Sequence, residues 1–218
     1  MNIQEETPTD GSIEKYKTKL VAKNYTHKKC TDYFDTHAFV SRITTIRTLL
    51  ALASIHNLII HQMYVKTVFL NGELKEEIYM DQPDEFTFRG QERKVCRLVI
   101  SLYGLKQALR YWHENFDKLI LDYSFAVNKF DKCLYSKIVD KDHVMLCLYV
   151  DDILIFGTSL DIIIDVKGCL SNYFDMKGLG EAETILGMKI CRNYKGNFWP
   201  YNILLRRCIE SLTIMIAN

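Results

Sequence analysis

Residues 144–157 read V-M-L-C-L-Y-V-D-D-I-L-I-F-G: two apolar runs, 144–150 and 153–156, with Asp151 and Asp152 between them. Runs this short and this apolar predict buried strands. A two-residue link between such strands predicts a tight hairpin. Asp-Asp lacks the glycine those turns favour, so turn chemistry alone accounts for it poorly. Adjacent carboxylates at the tip of a buried hairpin repel one another and resist desolvation unless a cation sits with them. Oxygen-only ligands suit magnesium or manganese rather than zinc, and carboxylate-held metal pairs serve phosphoryl transfer. A solvated turn between two core strands is the competing reading, and the pair by itself leaves both open.

Outward from the hairpin, Leu102, Leu105, Leu109, Trp112, Phe116 and Leu119 recur at steps of three and four and predict a helix over residues 105–123. Ser41 is positioned to cap a second helix, in which Ile43, Ile46, Leu50 and Ala53 share one face. A third helix is expected over 161–174, weakened by Gly168. Strands are expected over 58–68 (with Asn71-Gly72 as a turn signal after it), 78–80, 95–98, 133–138 and 184–190. In residues 15–20, lysine alternates with Tyr16, Thr18 and Leu20, as on a two-faced strand. Helices and hairpin-linked strands in this mixture imply an α+β fold around an antiparallel sheet.

Composition bounds the chemistry. With 48% apolar and 12% aromatic residues the chain suits a packed domain. Lys plus Arg number 28 against 27 Asp plus Glu, so net charge identifies no partner. The distribution does more, because Lys15, Lys17, Lys19, Lys23, Lys28 and Lys29 crowd one segment with His27. Seven scattered cysteines, with no Cys-x-x-Cys pair, argue for reduced thiols in an intracellular setting, cytoplasmic or nuclear. The polar, acidic residues 1–11 do not form a secretory signal, and no apolar run is long enough to span a bilayer. Residues 1–12 are expected to be a flexible lead-in, 13–196 one domain and 197–218 a divergent tail.

Tyr149-Val150-Asp151-Asp152 within an apolar hairpin resembles the signature of reverse transcriptases. Five further blocks narrow the resemblance to the Copia-type long-terminal-repeat retrotransposons: KYKTKLVAKNYTH (15–27), SRITTIRTLLALASIHNL (41–58), HQMYVKTVFLNGELKEEIYMDQP (61–83), KVCRLVISLYGLKQALRYWHENFD (94–117) and YFDMKGLGEAETILGMKI (173–190). They stand in the family's order and cover roughly residues 11–196. The resemblance implies the fingers and palm of a polymerase, with the thumb cut short after residue 196. It implies RNA-directed DNA synthesis as the ancestral reaction, in which a primer 3′-hydroxyl attacks a deoxynucleoside triphosphate with the help of Mg2+ or Mn2+. An RNA or DNA primer–template and dNTPs are the implied partners.

The family's roles fall on particular residues. Asp151 and Asp152 match two of three metal-binding aspartates. The third belongs in the pattern H-Q-M-D-V-K-T-A-F-L-N-G, where this chain has Tyr64. A phenol, with a reference pKa of about 10, stays neutral at pH 7 and is a poor ligand for a hard cation. Phe69 matches the aromatic under the incoming sugar, and also suits a core position on a strand. Lys17 and Lys19 match the basic strand that meets the triphosphate. Lys19 stands where arginine is usual, keeping charge while losing bidentate geometry. Tyr103, Gly104 and Gln107 match the block near the template base and nucleotide, whereas Trp112 and Phe116 read as core. Val68 and Leu109 replace an alanine and a proline of the pattern. These departures imply a catalytically dead copy. A non-catalytic nucleic-acid-binding remnant is the alternative, and a magnesium nuclease would need acidic ligands beyond Asp151 and Asp152.

Overall fold

The computed structural model describes residues 2–6, 15–22, 39–72, 74, 76–83, 86–87, 89–91, 93–192 and 198–200, with side chains for those between 20 and 190. Elements follow the order β1 (Asn2–Glu6), β2 (Lys15–Lys19), α1 (Ile43–His56), β3 (Ile59–Val65), β4 (Tyr79–Asp81), β5 (Val95–Arg97), α2 (Ala108–Asp122), β6 (Ala126–Val127), β7 (Leu134–Val139), β8 (Asp142–Tyr149), β9 (Asp152–Gly157), α3 (Leu160–Tyr173), β10 (Met176–Glu181), β11 (Thr184–Ile185), β12 (Met188–Arg192) and β13 (Phe198–Pro200). The architecture is α+β, with three α-helices among the described residues and antiparallel strand pairs throughout the named sheets. The chain separates into two compact units, one drawn from residues 1–38 and 67–117 and the other from 39–66 and 118–218.

The second unit is built on a six-stranded sheet of order β10-β3-β9-β8-β7-β6. Strand alternation sends Ile60, Cys147, Leu154 and Phe156 to one face, where they pack with Ile46, Leu49, Leu50 and Ala53 of α1. The opposite face carries Ile153, Ile155, Leu146 and Leu148, all fully or almost fully buried. On that face α3 comes so close that a Cβ on Gly157 would lie 2.6 Å from Ile163 Cγ1. Lys167 of α3 also donates to His61 Nδ1 there, at 2.6 Å. Cover on both faces is why the 144–157 stretch is almost continuously apolar.

Several expectations are corrected. Ser41 does not cap α1: the N-cap residue is Arg42, and no side-chain cap bond forms. Instead the Ser41 hydroxyl donates to Asp131 Oδ2 at 3.0 Å, joined by Thr45 Oγ1 at 2.6 Å. The start of α1 is thus tied to a carboxylate distant in sequence, which local patterning cannot reveal. The strand expected over 58–68 stops at Val65, because Thr67 is left-handed (φ 51°) and Val68–Leu70 forms a 3₁₀ turn. Helix α2 starts at Ala108 rather than residue 105. The single strand expected over 184–190 is two, β11 and β12, joined through Leu186 (φ 47°) and Gly187 (φ 76°), the double positive φ of a tight hairpin turn. Strand β10 was not foreseen, since Gly178 and Gly180 interrupt its pattern and flank a register shift against β3.

Residues 2–6, inside the expected lead-in, pair antiparallel with β2 from Asn2↔Lys19 to Glu6↔Lys15. Residues 198–200 pair with β12; the rest of 197–218 lies outside the described residues. No described helix is long and apolar enough to cross a membrane.

In the first unit a smaller core gathers Ala22, Ile78, Leu102, Leu105 and Ala108, with Leu20, Phe69 and Leu98 against it. Trp112 and Phe116, read as core, are fully buried with ring centroids 5.6 Å apart.

Candidate active site

The apolar hairpin turns one residue earlier than its sequence suggests. Tyr149 pairs with Asp152, so Val150 and Asp151 form the two-residue link and Asp152 is the first residue of β9. Val150 has φ 58°. A β-branched residue in the left-handed region is strained, and such strain concentrates at functional turns. The turn is tied to the neighbouring strand by Val65 N–H donating to the Asp151 carbonyl at 2.8 Å.

Asp152 is central to the arrangement. Its Cα partner in β8 is Tyr149, and its Cα partner in β3 is Tyr64. Directly opposed residues of an antiparallel ladder project to the same face with Cβ atoms about 5 Å apart. Tyr64, Asp152 and Tyr149 therefore form one row across three strands at the end of the sheet. Gln62, one step inward on the same face, donates Nε2 to Asp152 Oδ1 at 2.9 Å. Burial pushes the Asp152 carboxyl above the usual carboxylate range. The Gln62 hydrogen bond opposes that rise and the neighbouring Asp151 charge adds to it. Tyr64 is 37% exposed, so its ring stands at the rim rather than in the core. Sequence reasoning singled out Tyr64, Asp151 and Asp152 but missed Gln62 and the flanking role of Tyr149. The equal parity of 62 and 64 on one strand is the signal that could have found Gln62.

The donor set is short of what a metal pair requires. Two carboxylates and a phenol stand here, and among the described residues no group of three His, Cys, Asp or Glu side chains could hold a metal ion. A pair of hard divalent cations does not fit these ligands.

The remaining candidates lie in the first unit. Phe69 sits in the 3₁₀ turn and tilts against Tyr103, with ring centroids 4.9 Å apart. Gly104 has φ 90°, and a Cβ there would lie 2.5 Å from the Ala22 carbonyl oxygen. That close approach lets residues 21–22 dock: Val21 bridges Tyr103 in parallel, and Ala22 N–H donates to the Tyr103 carbonyl at 2.7 Å. Lys17 and Lys19 lie on β2 just before this bridge; their side chains are outside those described. Gln107 is wholly buried, and among the described residues neither Oε1 nor Nε2 has a hydrogen-bond partner. An unsatisfied buried amide costs about 1–3 kcal/mol, so a polar partner for it is expected.

The family described as reverse transcriptase (RNA-dependent DNA polymerase) matches residues 5–214, a span that continues past residue 196. The chain is 45% identical to the retrovirus-related Pol polyprotein of transposon TNT 1-94 from Nicotiana tabacum, over 84% of this chain and 14% of that protein. It is 35% identical to the Pol polyprotein of transposon RE1 from Arabidopsis thaliana, over 84% of this chain and 13% of that protein. It is 32% identical to the transposon Ty5-1 protein of Saccharomyces cerevisiae, over 62% of this chain and 44% of that protein. The chain thus spans about a seventh of the plant polyproteins. No solved structure matches it.

Proposed function

This chain belongs to the reverse transcriptase (RNA-dependent DNA polymerase) family, in the branch carried by Copia-type retrotransposon Pol polyproteins, and from that membership we propose that it is a polymerase domain whose metal site has lost one ligand. The six-stranded sheet is the palm, and the unit containing β2, Phe69 and Tyr103 carries the fingers. Asp151 and Asp152 are the two surviving metal ligands, and Tyr64 occupies the place of the third. Phe69 matches the family's aromatic under the incoming sugar, and Lys17 and Lys19 match its basic strand for the triphosphate. Tyr103, Gly104 and Gln107 border the template base. The partners are an RNA or DNA primer–template and dNTPs.

One observation carries this reading: Tyr64 and Asp152 are opposed in the β3–β9 ladder. A carboxylate at position 64 would share a face and a strand end with Asp152, one residue from Asp151. A phenol there supplies no charge to a divalent cation and adds a ring where coordination space is needed. The chain is therefore inactive or nearly so. Template-primed extension with Mg2+ or Mn2+ tests it: no product above background is expected, and robust synthesis would refute the proposal.

A second reading rests on the lysines between residues 15 and 29: retained nucleic-acid binding without synthesis. Affinity for a primer–template duplex that falls steeply with salt would support it, and salt-insensitive binding would remove it.

A further inference from the structure

Phe130 is 91% exposed, yet it sits on a turn held by several hydrogen bonds. Asn128 Oδ1 accepts from the N–H groups of Phe130 (2.8 Å) and Asp131 (3.2 Å). Asp131 Oδ1 accepts from Cys133 N–H at 3.0 Å. Its other oxygen accepts from Ser41 Oγ, Thr45 Oγ1 and Arg42 N–H, at 3.0, 2.6 and 3.3 Å. Backbone bonds from Asn128 N–H to the Leu134 carbonyl and from Leu134 N–H to the Asp131 carbonyl close the loop. A scattered exposed apolar residue is ordinary; one displayed on a turn with this many constraints is pre-organised to meet something.

The charge around it points to a partner. Lys129 and Lys132 flank Phe130 in sequence, and both are exposed. Arg42, whose backbone joins the same carboxylate, is exposed too. Asp131, the acidic residue between the lysines, is turned inward and consumed by four donors. What faces solvent is an aromatic ring among cations, the combination that binds unpaired nucleotides by base stacking and phosphate contact. The turn also lies at the sheet end that carries Asp151 and Asp152. Leu148 N–H donates to the Cys133 carbonyl at 2.9 Å, and β7 is next to β8, whose last residue pairs with Asp152.

We propose that the turn from Asn128 to Cys133 is a contact for single-stranded nucleic acid, with Phe130 stacking on an unpaired base and Lys129, Lys132 and Arg42 taking the adjacent phosphates. This extends the nucleic-acid partner proposed above, but it requires neither metal nor nucleotide. Failed synthesis therefore leaves it standing, and its own failure leaves the metal-site reading standing.

Fluorescence anisotropy of the full chain with a 15-mer of thymidylate, and with a 15-mer of abasic phosphodiester, tests it. Wild type should bind the thymidylate strand more tightly than the abasic one. Phe130→Ala should lose about ten-fold in affinity for thymidylate and bind both strands equally, while Phe130→Trp retains wild-type affinity. Lys129→Ala with Lys132→Ala should make the salt dependence shallower by about 1.4 units of slope, about 0.7 for each phosphate contact on a single strand. An exposed ring contributes little to folding, so the thermal midpoint of Phe130→Ala should match wild type. No binding by wild type, equal affinity of wild type for both strands, or unchanged affinity in a folded Phe130→Ala would each overturn the proposal.

Discussion

Tyr64 and Asp152 stand opposite one another across the β3–β9 ladder. On the metal-site reading proposed above, position 64 is where a third ligand would stand beside Asp152. Asp152 remains half-buried beside Asp151 with no third carboxylate and no cation-binding set among the described residues.

The first prediction follows from that imbalance. Burial, reinforced by the Asp151 charge, raises the folded pKa of Asp152. Its ionised form is therefore penalised in the fold at neutral pH. The penalty disappears as pH falls through the raised folded pKa toward the unfolded value near 3.9. Asp152→Asn keeps an acceptor for Gln62 and removes the charge. It should stabilise the protein by at most about 1 kcal/mol at pH 7, because Asp152 is only half-buried and partly screened, with the gain shrinking as pH falls through the raised folded pKa and absent below about pH 4. Urea unfolding at both pH values checks it.

Asp131 should behave in the opposite sense. Burial alone would raise its pKa, but hydrogen bonds from Thr45, Cys133, Ser41 and Arg42 together outweigh burial and hold it below the ordinary range. A depressed carboxyl pKa contributes stability that is present above the unfolded pKa and is lost as pH falls through the folded one. Asp131→Ala should cost about 2–3 kcal/mol at pH 7 and loosen the start of α1. Its destabilisation relative to wild type should fade below about pH 4, as measured by denaturant titration and by hydrogen exchange at residues 43–46.

The strained turn gives a third expectation. Val150 holds φ 58°, which costs a non-glycine residue about 1–2 kcal/mol. Glycine would relieve this while adding about 0.5–1 kcal/mol of unfolded-state freedom. Val150→Gly should therefore leave stability unchanged or raise it by up to about 1 kcal/mol. Clear destabilisation in urea would show that the valine side chain contributes packing that offsets the strain.

Much of this was legible in the sequence, for physical reasons that also mark its limits. The strands on either side of Asp151-Asp152 announced themselves because both sheet faces are covered, so nearly every residue must be apolar. Helix α2 was legible from its stripe, and Trp112 and Phe116 proved to be core. The tie between Asp131 and the start of α1 was not, since the two lie some ninety residues apart. The exact turn, Val150-Asp151, was also hidden, because valine is a residue that pattern rules exclude from a left-handed position. The row Tyr64, Asp152 and Tyr149 depends on register, which a two-residue period leaves undetermined until the strands are paired.

The central claim, that position 64 is the missing ligand of a metal site, is tested most directly by titrating Mn2+ into wild type, Tyr64→Asp and Tyr64→Asp/Asp152→Asn and reading free ion by electron paramagnetic resonance. Tyr64→Asp should bind at least about ten-fold more tightly than wild type, as expected when a charged ligand joins an incomplete set, and the double variant should lose that gain. Equal affinity of wild type and Tyr64→Asp, with both chains folded, would contradict the account.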